Sequence, residues 1–130
     1  MGGRWNSPGR PVIYAAMTYA GAMLEVLAHT NTGKVPPSHR CVTADVPDDL
    51  AVTRYELAQL PAGWDAQDSV SARVLGDEWL QECATALLVV PSVVARIEFN
   101  VLVNPAHPDA SRITASPPEA VLWDSRLFSK

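Results

Sequence analysis

The sequence predicts a single domain of the α+β class over residues 1–130, with two main helices and a mixed, mostly antiparallel sheet. Its length of 130 residues suits one hydrophobic core. Hydrophobic residues make up 48% of the chain and charged residues 18%, a balance typical of a folded globular protein. Two segments carry apolar residues at helical spacing, whereas the other apolar runs are short and often bounded by proline. These observations together predict helices packed around a sheet.

The chain begins with a loop and a strand. The cluster from Gly2 to Gly9 combines glycine, asparagine and proline, which favour turns. The next run, Pro11 to Ala15, is apolar, opens with proline and contains β-branched residues. It predicts a buried strand.

A first helix is expected from Tyr19 to His29, with Thr18 as its N-cap. Gly33, after Asn31 and Thr32, is suited to a left-handed stop. The helical wheel predicts an apolar face of Ala20, Met23, Leu24 and Leu27, and an opposite face of Ala22, Glu25 and His29.

The middle of the chain predicts a strand from Arg40 to Val46 and a second helix from Ser69 to Ala86. Gly76 is the weak point of that helix. Between them, Val52 to Leu57 fits either a strand or a helical turn, and periodicity does not decide.

The last third predicts strands. Leu87 to Val90 is continuous and apolar, as in a central strand, and residues 91–92 bend the chain after it. Phe99 to Val103 is a further strand, and the segments 112–114 and 120–123 suit short edge strands.

Charge and apolar length exclude several classes of protein. Fourteen acidic side chains against ten basic ones give a net charge of -4, so bulk attraction for nucleic acid or anionic lipid is lacking. The longest apolar stretch, Ala86 to Ala95, contains proline and serine and is far shorter than the about 20 residues of a spanning helix. We therefore expect neither direct nucleic-acid contact nor membrane insertion.

Cysteine and histidine predict no metal site. Cys41 and Cys83, together with the histidines at 29, 39 and 107, lack the close spacing of a zinc motif. Because two cysteines and no leader-like segment are present, a reduced, cytoplasmic protein is expected.

Four polar residues stand where their surroundings do not explain them. Arg4, between glycines, is suited either to grip a diphosphate or to pin the N-terminus by a cation–π contact. Tyr14 lies in an aliphatic strand, where a core role is commoner than catalysis, and Glu25 lies mid-helix, where glutamate usually faces solvent. Asn100 sits inside a strand, which suggests a local hydrogen-bonding role.

Taken as one pattern, these residues belong to five segments that resemble a known family. The segments are GRWNSPGRPVIYAA (3–16), AMLEVLAH (22–29), VPS (90–92), NVLVNPAHP (100–108) and DSRLF (124–128). In this order they resemble the RES domain family, the toxins of bacterial toxin–antitoxin pairs. One departure is that family members carry a further strand before the Gly-Arg-Trp motif.

The resemblance implies a fold related to ADP-ribosylating toxins and an attack on NAD+, which is a substrate here; no metal is implied. The catalytic residues it implies are Arg4, Tyr14 and Glu25. The residues predicted to contact substrate are Asn6, Ser92 and Asn100.

These roles suit the chemistry of the nicotinamide–ribose bond. Its cleavage develops positive charge on the ribose, which the Glu25 carboxylate would stabilise. The Tyr14 ring would stack on nicotinamide, and the Arg4 guanidinium would hold the diphosphate.

Three outcomes remain open at this point. The ADP-ribose passes to water or phosphate, which depletes NAD+, or to a side chain of a target protein; a less favoured alternative is an interaction module without activity. The resemblance also implies a helix-turn-helix antitoxin as partner in a hetero-oligomer.

Overall fold

The computed structural model describes residues 2–30, 33–36 and 38–128. Its helices are α1 (Tyr19–Thr30) and α2 (Val70–Glu82). Its strands, in chain order, are β1 (Ile13–Ala16), β2 (Arg40–Cys41), β3 (Ala44–Asp45), β4 (Val52–Arg54), β5 (Leu87–Pro91), β6 (Phe99–Val103), β7 (Thr114–Ala115) and β8 (Glu119–Ala120). No helix in these described ranges is both long and apolar enough to cross a membrane.

Four strands form the central sheet in the order β1-β6-β5-β4. β6 is antiparallel to both β1 and β5, whereas β4 runs parallel to β5. All five residues of β5 are buried: Leu88 and Val90 belong to the main core, and Leu87 belongs to a second hydrophobic cluster. The predicted α+β class with a mixed, mostly antiparallel sheet and two helices is therefore confirmed.

The main core lies between α2 and one face of the sheet. Tyr14 on β1 pairs with Leu102 on β6, so the two side chains share a face of the sheet. Asn100 shares that face as well, because alternate residues of a strand point to the same side. Tyr14 and Asn100 thus project from the face that carries the core. The buried members of this core are Trp5, Trp64, Ala72, Trp79, Leu88, Val90 and Leu102.

The first predicted strand is wrong in its burial. It spans Ile13–Ala16 instead of Pro11 to Ala15, and Ile13 is 55% exposed. Among the described residues β1 pairs with β6 alone and forms one edge of the central sheet, and most of its residues are accessible.

The predicted strand from Arg40 to Val46 is also wrong. The chain forms β2 and β3 instead, which pair with β8 and β7 in separate two-stranded sheets. Residues 42–43 interrupt the run, and Thr43 is held there by Ser116, whose Oγ accepts from Thr43 N at 2.9 Å.

Other predicted boundaries change as well. The C-terminal edge strands form at 114–115 and 119–120, not at 112–114 and 120–123. The segment from Val52 to Leu57, which fitted either a strand or a helical turn, forms a strand at residues 52–54. α2 ends at Glu82, short of the predicted Ala86, because Cys83 adopts a left-handed conformation at φ 52°.

The first helix forms as predicted, one residue longer at its end. Thr18 Oγ1 accepts from Gly21 N at 2.9 Å, as an N-cap side chain does. Gly33 has the expected positive φ of 70°, while Asn31 and Thr32 lie outside the described residues. The predicted apolar face, however, is not a core face, because no residue of α1 is buried.

Candidate active site

A cleft of about 1070 Å³ lies between the N-terminal loop, α1, β1 and the segment that leads into α2. It is large enough for a dinucleotide-sized ligand. Four of the six sequence-predicted site residues line it: Arg4, Tyr14, Glu25 and Asn100. The other two, Asn6 and Ser92, are 2% and 3% exposed and lie directly behind these side chains.

The Glu25 carboxylate is held by two donors, one from the turn after β5 and one from β6. Its Oε2 accepts from Ser92 Oγ at 2.6 Å and from Asn100 Nδ2 at 2.8 Å. Hydrogen bonds to a charged acceptor are stronger than neutral ones. Glu25 Oε1 has no hydrogen bond to the residues that the structure describes, so one carboxylate oxygen is left to face a ligand.

Ser92 is oriented for this contact by the turn that follows β5. Its Oγ accepts from Ala95 N at 3.1 Å, and its own N donates to Glu98 O at 3.0 Å. Because the hydroxyl has only one proton, accepting from Ala95 leaves that proton for Glu25. Ser92 is therefore a fixed donor.

The face of α1 that meets the cleft is the one that the helical wheel places opposite the apolar face. Ala22, Glu25 and His29, expected on one side of the helix, all line the cleft. This face therefore borders the cleft, whereas the helical position of Glu25 by itself suggested an ordinary solvent-facing side.

Asn6 organises the N-terminal loop. Its Oδ1 accepts from Gly3 N at 2.9 Å and from the Tyr14 hydroxyl. Its Nδ2 donates to Arg10 O at 2.8 Å. One buried amide thus closes the loop on itself and ties it to β1.

The Tyr14 hydroxyl is enclosed although its ring is accessible. The residue is 45% exposed and lines the cleft, but the hydroxyl accepts from Trp5 N at 3.1 Å and lies against Gly3, where an added Cβ would be 2.5 Å from it. Burial raises the pKa of this hydroxyl, the Trp5 N–H opposes that change, and the nearby Asp77 carboxylate adds to it. Tyr14 therefore presents the ring of a neutral phenol to the cleft.

Arg4 is fixed by backbone carbonyls. Its Nη1 donates to Trp64 O at 3.1 Å and to Ala66 O at 2.8 Å. Within the described part of the chain its Nε and Nη2 make no hydrogen bond. The cation–π contact considered for Arg4 is made instead by Arg96, whose guanidinium lies 5.5 Å from the Trp64 ring centroid.

The segment that holds Arg4 is itself braced. Trp64 stacks on Trp5 with ring centroids 6.1 Å apart. Arg96 Nη2 lies 2.8 Å from Asp65 Oδ2, and this hydrogen bond lowers the pKa of the Asp65 carboxyl. The carbonyl groups that orient Arg4 therefore belong to a segment that is fixed by the Trp64–Trp5 stacking and the Arg96–Asp65 ion pair.

α2 anchors the N-terminal loop through residues that sequence reasoning missed. Asp77 accepts from Ser7 N at 2.9 Å and from Ser7 Oγ at 2.5 Å. Beside it, Gly76 approaches Trp5 so closely that an added Cβ would lie 1.7 Å from Trp5 O. The mid-helix glycine was the available signal, because a backbone contact is one reason for a glycine there.

Further polar residues of the cleft were also not assigned from sequence. These are His29, Thr30, His39, Gln67, Asp68, Ser69 and Arg73. The described residues hold no group of three or more histidine, cysteine or carboxylate side chains arranged for a metal ion.

Comparisons with known proteins agree with the sequence motifs. The family model described as RES domain matches residues 1–124. The chain is 42% identical over 133 residues to the Prs ADP-ribosylating toxin of Sphingobium sp., covering 99% of this chain and 82% of that protein. It is 41% identical over 128 residues to Toxin Res of Pseudomonas putida, covering 97% of this chain and 86% of that protein.

A more distant relative, Toxin Res of Photorhabdus laumondii, is 33% identical over 109 residues and covers 83% of this chain and 69% of that protein. The matches thus extend along the chain and include the N-terminal loop, α1 and the sheet. On this evidence the chain belongs to the RES domain family.

Proposed function

We propose that this protein is a toxin that cleaves the nicotinamide–ribose bond of NAD+ and transfers the ADP-ribose. The observation that carries the proposal is the Glu25 carboxylate in the cleft, held by Ser92 and Asn100 with one oxygen left over. A carboxylate fixed in this way is suited to stabilise positive charge on a sugar ring.

The reaction breaks the bond between C1′ of the ribose and the pyridinium nitrogen. The bonding electron pair leaves with nicotinamide, which becomes neutral, so no general acid is required. Positive charge develops on the ribose, where Glu25 Oε1 stabilises it or accepts a hydrogen bond from the 2′-hydroxyl. An acceptor then attacks C1′ and loses a proton to solvent or to a nearby base.

The remaining residues divide between contact and support. We assign Tyr14 to stacking on nicotinamide and Arg4 to the diphosphate, with Asn100 at the ribose. Ser92 and Asn6 are nearly inaccessible, so we assign them to positioning: Ser92 orients Glu25, and Asn6 orients Tyr14.

Two acceptors are candidates. Transfer to water or phosphate would deplete NAD+, while transfer to a side chain would modify a protein. The Sphingobium relative, 42% identical, is named as a toxin that ADP-ribosylates Prs, and this favours a protein acceptor for the present chain. Tyr14 and Ala15 of β1 line the cleft and are exposed, which leaves this margin accessible to a macromolecule.

We further propose that an antitoxin restrains this activity in the cytoplasm, where NAD+ is available. Three relatives are named Toxin Res, and a toxin needs a partner that silences it in its own cell. A helix-turn-helix antitoxin in a hetero-oligomer would also supply the DNA contact for which an acidic toxin with a net charge of -4 is unsuited.

Release of free nicotinamide from NAD+ tests the chemistry. We expect Glu25→Gln to lower the rate about 100- to 1000-fold, because a near-isostere removes the charge but keeps the shape. Glu82→Gln, at an exposed position at the end of α2, is the matched control and should retain the wild-type rate. A wild-type rate in Glu25→Gln would refute the proposal.

Labelled NAD+ separates the acceptors. Incubation with cell lysate should label a protein band with the wild type and not with Glu25→Gln if the acceptor is a side chain. Free ADP-ribose or its phosphorylated form as the only product would favour depletion of NAD+ and count against protein modification.

A further inference from the structure

A second arginine shares the cleft with Arg4. Arg73 lies in the first turn of α2, and its side chain lines the cleft. Among the lysine and arginine residues of the described chain, Arg4 and Arg73 are the two that line this cleft. Neither the sequence motifs nor the family resemblance assigned Arg73 a role.

Both guanidinium groups are tied to the same short segment of backbone. Arg4 Nη1 donates to Ala66 O at 2.8 Å, and Arg73 Nη2 donates to Asp68 O at 3.0 Å. Ala66 and Asp68 are two residues apart, which keeps their Cα atoms within about 7 Å. The two cations are therefore anchored at neighbouring points of one cleft wall.

Each arginine also keeps donors for a ligand. Arg73 uses only Nη2, and Arg4 only Nη1, in hydrogen bonds to described residues. The one acidic neighbour in this segment that lines the cleft, Asp68, accepts from Val70 N through Oδ1 at 3.2 Å. Its carboxylate is thus engaged with the start of α2.

We infer that Arg73 is a second diphosphate-binding residue, which binds one phosphate while Arg4 binds the other. This inference rests on the proposed function. A diphosphate carries two negative charges, and Arg4 has already committed one of its two terminal nitrogens to carbonyls. A second guanidinium at a neighbouring anchor supplies the remaining charge-assisted hydrogen bonds.

The test measures binding of two probes, ADP-ribose and inorganic pyrophosphate, to the full chain. We expect Arg73→Gln to weaken both by about tenfold or more, the effect of losing one charge-assisted hydrogen bond. Arg126→Gln is the matched control, because Arg126 has a side chain that is 89% exposed and pairs with Asp124 away from the cleft. It should bind both probes like the wild type.

A kinetic measurement separates binding from structure. Arg73→Gln should raise KM for NAD+ and leave kcat and the thermal unfolding midpoint near wild type, since the lost contact is to the non-reacting part of the substrate. Wild-type affinity of Arg73→Gln for both probes would overturn the inference. So would a loss of affinity that comes with an equally clear loss of stability.

The two probes also distinguish this inference from the proposed function. If Arg73→Gln weakens pyrophosphate binding but the wild type releases no nicotinamide from NAD+, the anion site is supported and the proposed NAD+ cleavage is refuted. If the wild type releases nicotinamide and Arg73→Gln has an unchanged KM for NAD+, the proposed NAD+ cleavage is supported and the role of Arg73 is refuted.

Discussion

The two walls of the cleft are built in different ways. The N-terminal loop, which carries Arg4, is packed on α2: Trp5 is 3% exposed and Asn6 is 2% exposed. α1, which carries Glu25, has no buried residue, and Glu25 contacts Asn100 of β6 and Ser92 in the turn after β5 through side-chain hydrogen bonds. The N-terminal loop is therefore part of the hydrophobic core, whereas α1 lies on the surface of the domain.

This difference separates stability from chemistry within one site. A substitution in the loop wall disturbs the residues that fill the core, so activity and folding should fail together. A substitution on α1 changes a few polar contacts near the surface, so activity should fall while the fold persists. Paired variants in the two walls test this contrast.

The largest expected effect compares two helical glycines. In Gly76→Ala on α2 the new methyl group would lie 1.7 Å from Trp5 O, which is backbone and cannot swing aside. We expect the free energy of unfolding to fall by more than about 3 kcal/mol. Nicotinamide release should be lost together with the fold. In Gly21→Ala on α1 the nearest atom, Thr18 Oγ1 at 3.0 Å, belongs to a side chain, and the change should stay within about 1 kcal/mol of wild type. Denaturant titration measures both, and equal losses would contradict the contrast.

The second prediction concerns the support of Glu25. Ser92→Ala removes one of the two donors to Oε2 and leaves the Ala95 N–H without its acceptor. We expect nicotinamide release to fall about 10- to 100-fold because the carboxylate loses its fixed orientation. The free energy of unfolding should fall by only about 1–3 kcal/mol. Ser111→Ala, at an exposed serine, serves as the control, and an unchanged rate in Ser92→Ala would show that Asn100 alone positions Glu25.

A smaller effect is expected at the anchor of the loop on α2. Ser7→Ala and Asp77→Asn each weaken the contact between the loop and the helix. A double-mutant cycle should give a coupling of about 0.5–3 kcal/mol in the free energy of unfolding. KM for NAD+ should rise in both single variants because Arg4 follows the loop. As a control, Glu78→Gln, at the next carboxylate on α2, should show no coupling to Ser7→Ala. If the effects of Ser7→Ala and Asp77→Asn are simply additive, the contact between Ser7 and Asp77 does not anchor the loop.

The sequence predicted the position of those elements whose signals are local, although the apolar face of α1 is not buried. α1 and β6 form where expected, since each has a continuous pattern of its own. The segment 40–46 alternates like a strand but pairs with two different partners, and pairing depends on distant residues such as Ser116. Local pattern carries no information about such partners.

The site shows the same limit. Motifs named Glu25, Ser92 and Asn100 separately, and the fold joins them although Glu25 lies 67 and 75 residues before the other two. Arg73 and Asp77 were missed because each is an ordinary charged residue on a helix until the N-terminal loop packs beside it. The loop contact of Asp77 and the role proposed for Arg73 both depend on tertiary contacts.

The smallest expected effect probes the enclosed hydroxyl of Tyr14 in the loop wall. Burial raises its pKa above the ordinary value of 10.0, so the folded chain keeps this proton to higher pH than the unfolded chain does. Between the two pKa values the unfolded state binds fewer protons, and stability therefore falls as pH rises above about 10. Tyr14→Phe should lose this part of the alkaline decline, whereas Tyr19→Phe, at a residue that is 50% exposed, should retain the wild-type curve. Urea unfolding at several pH values from neutral to strongly alkaline measures the slopes. Identical slopes in the wild type and Tyr14→Phe would mean that solvent reaches the hydroxyl, and the loop wall would then be looser than its packing indicates.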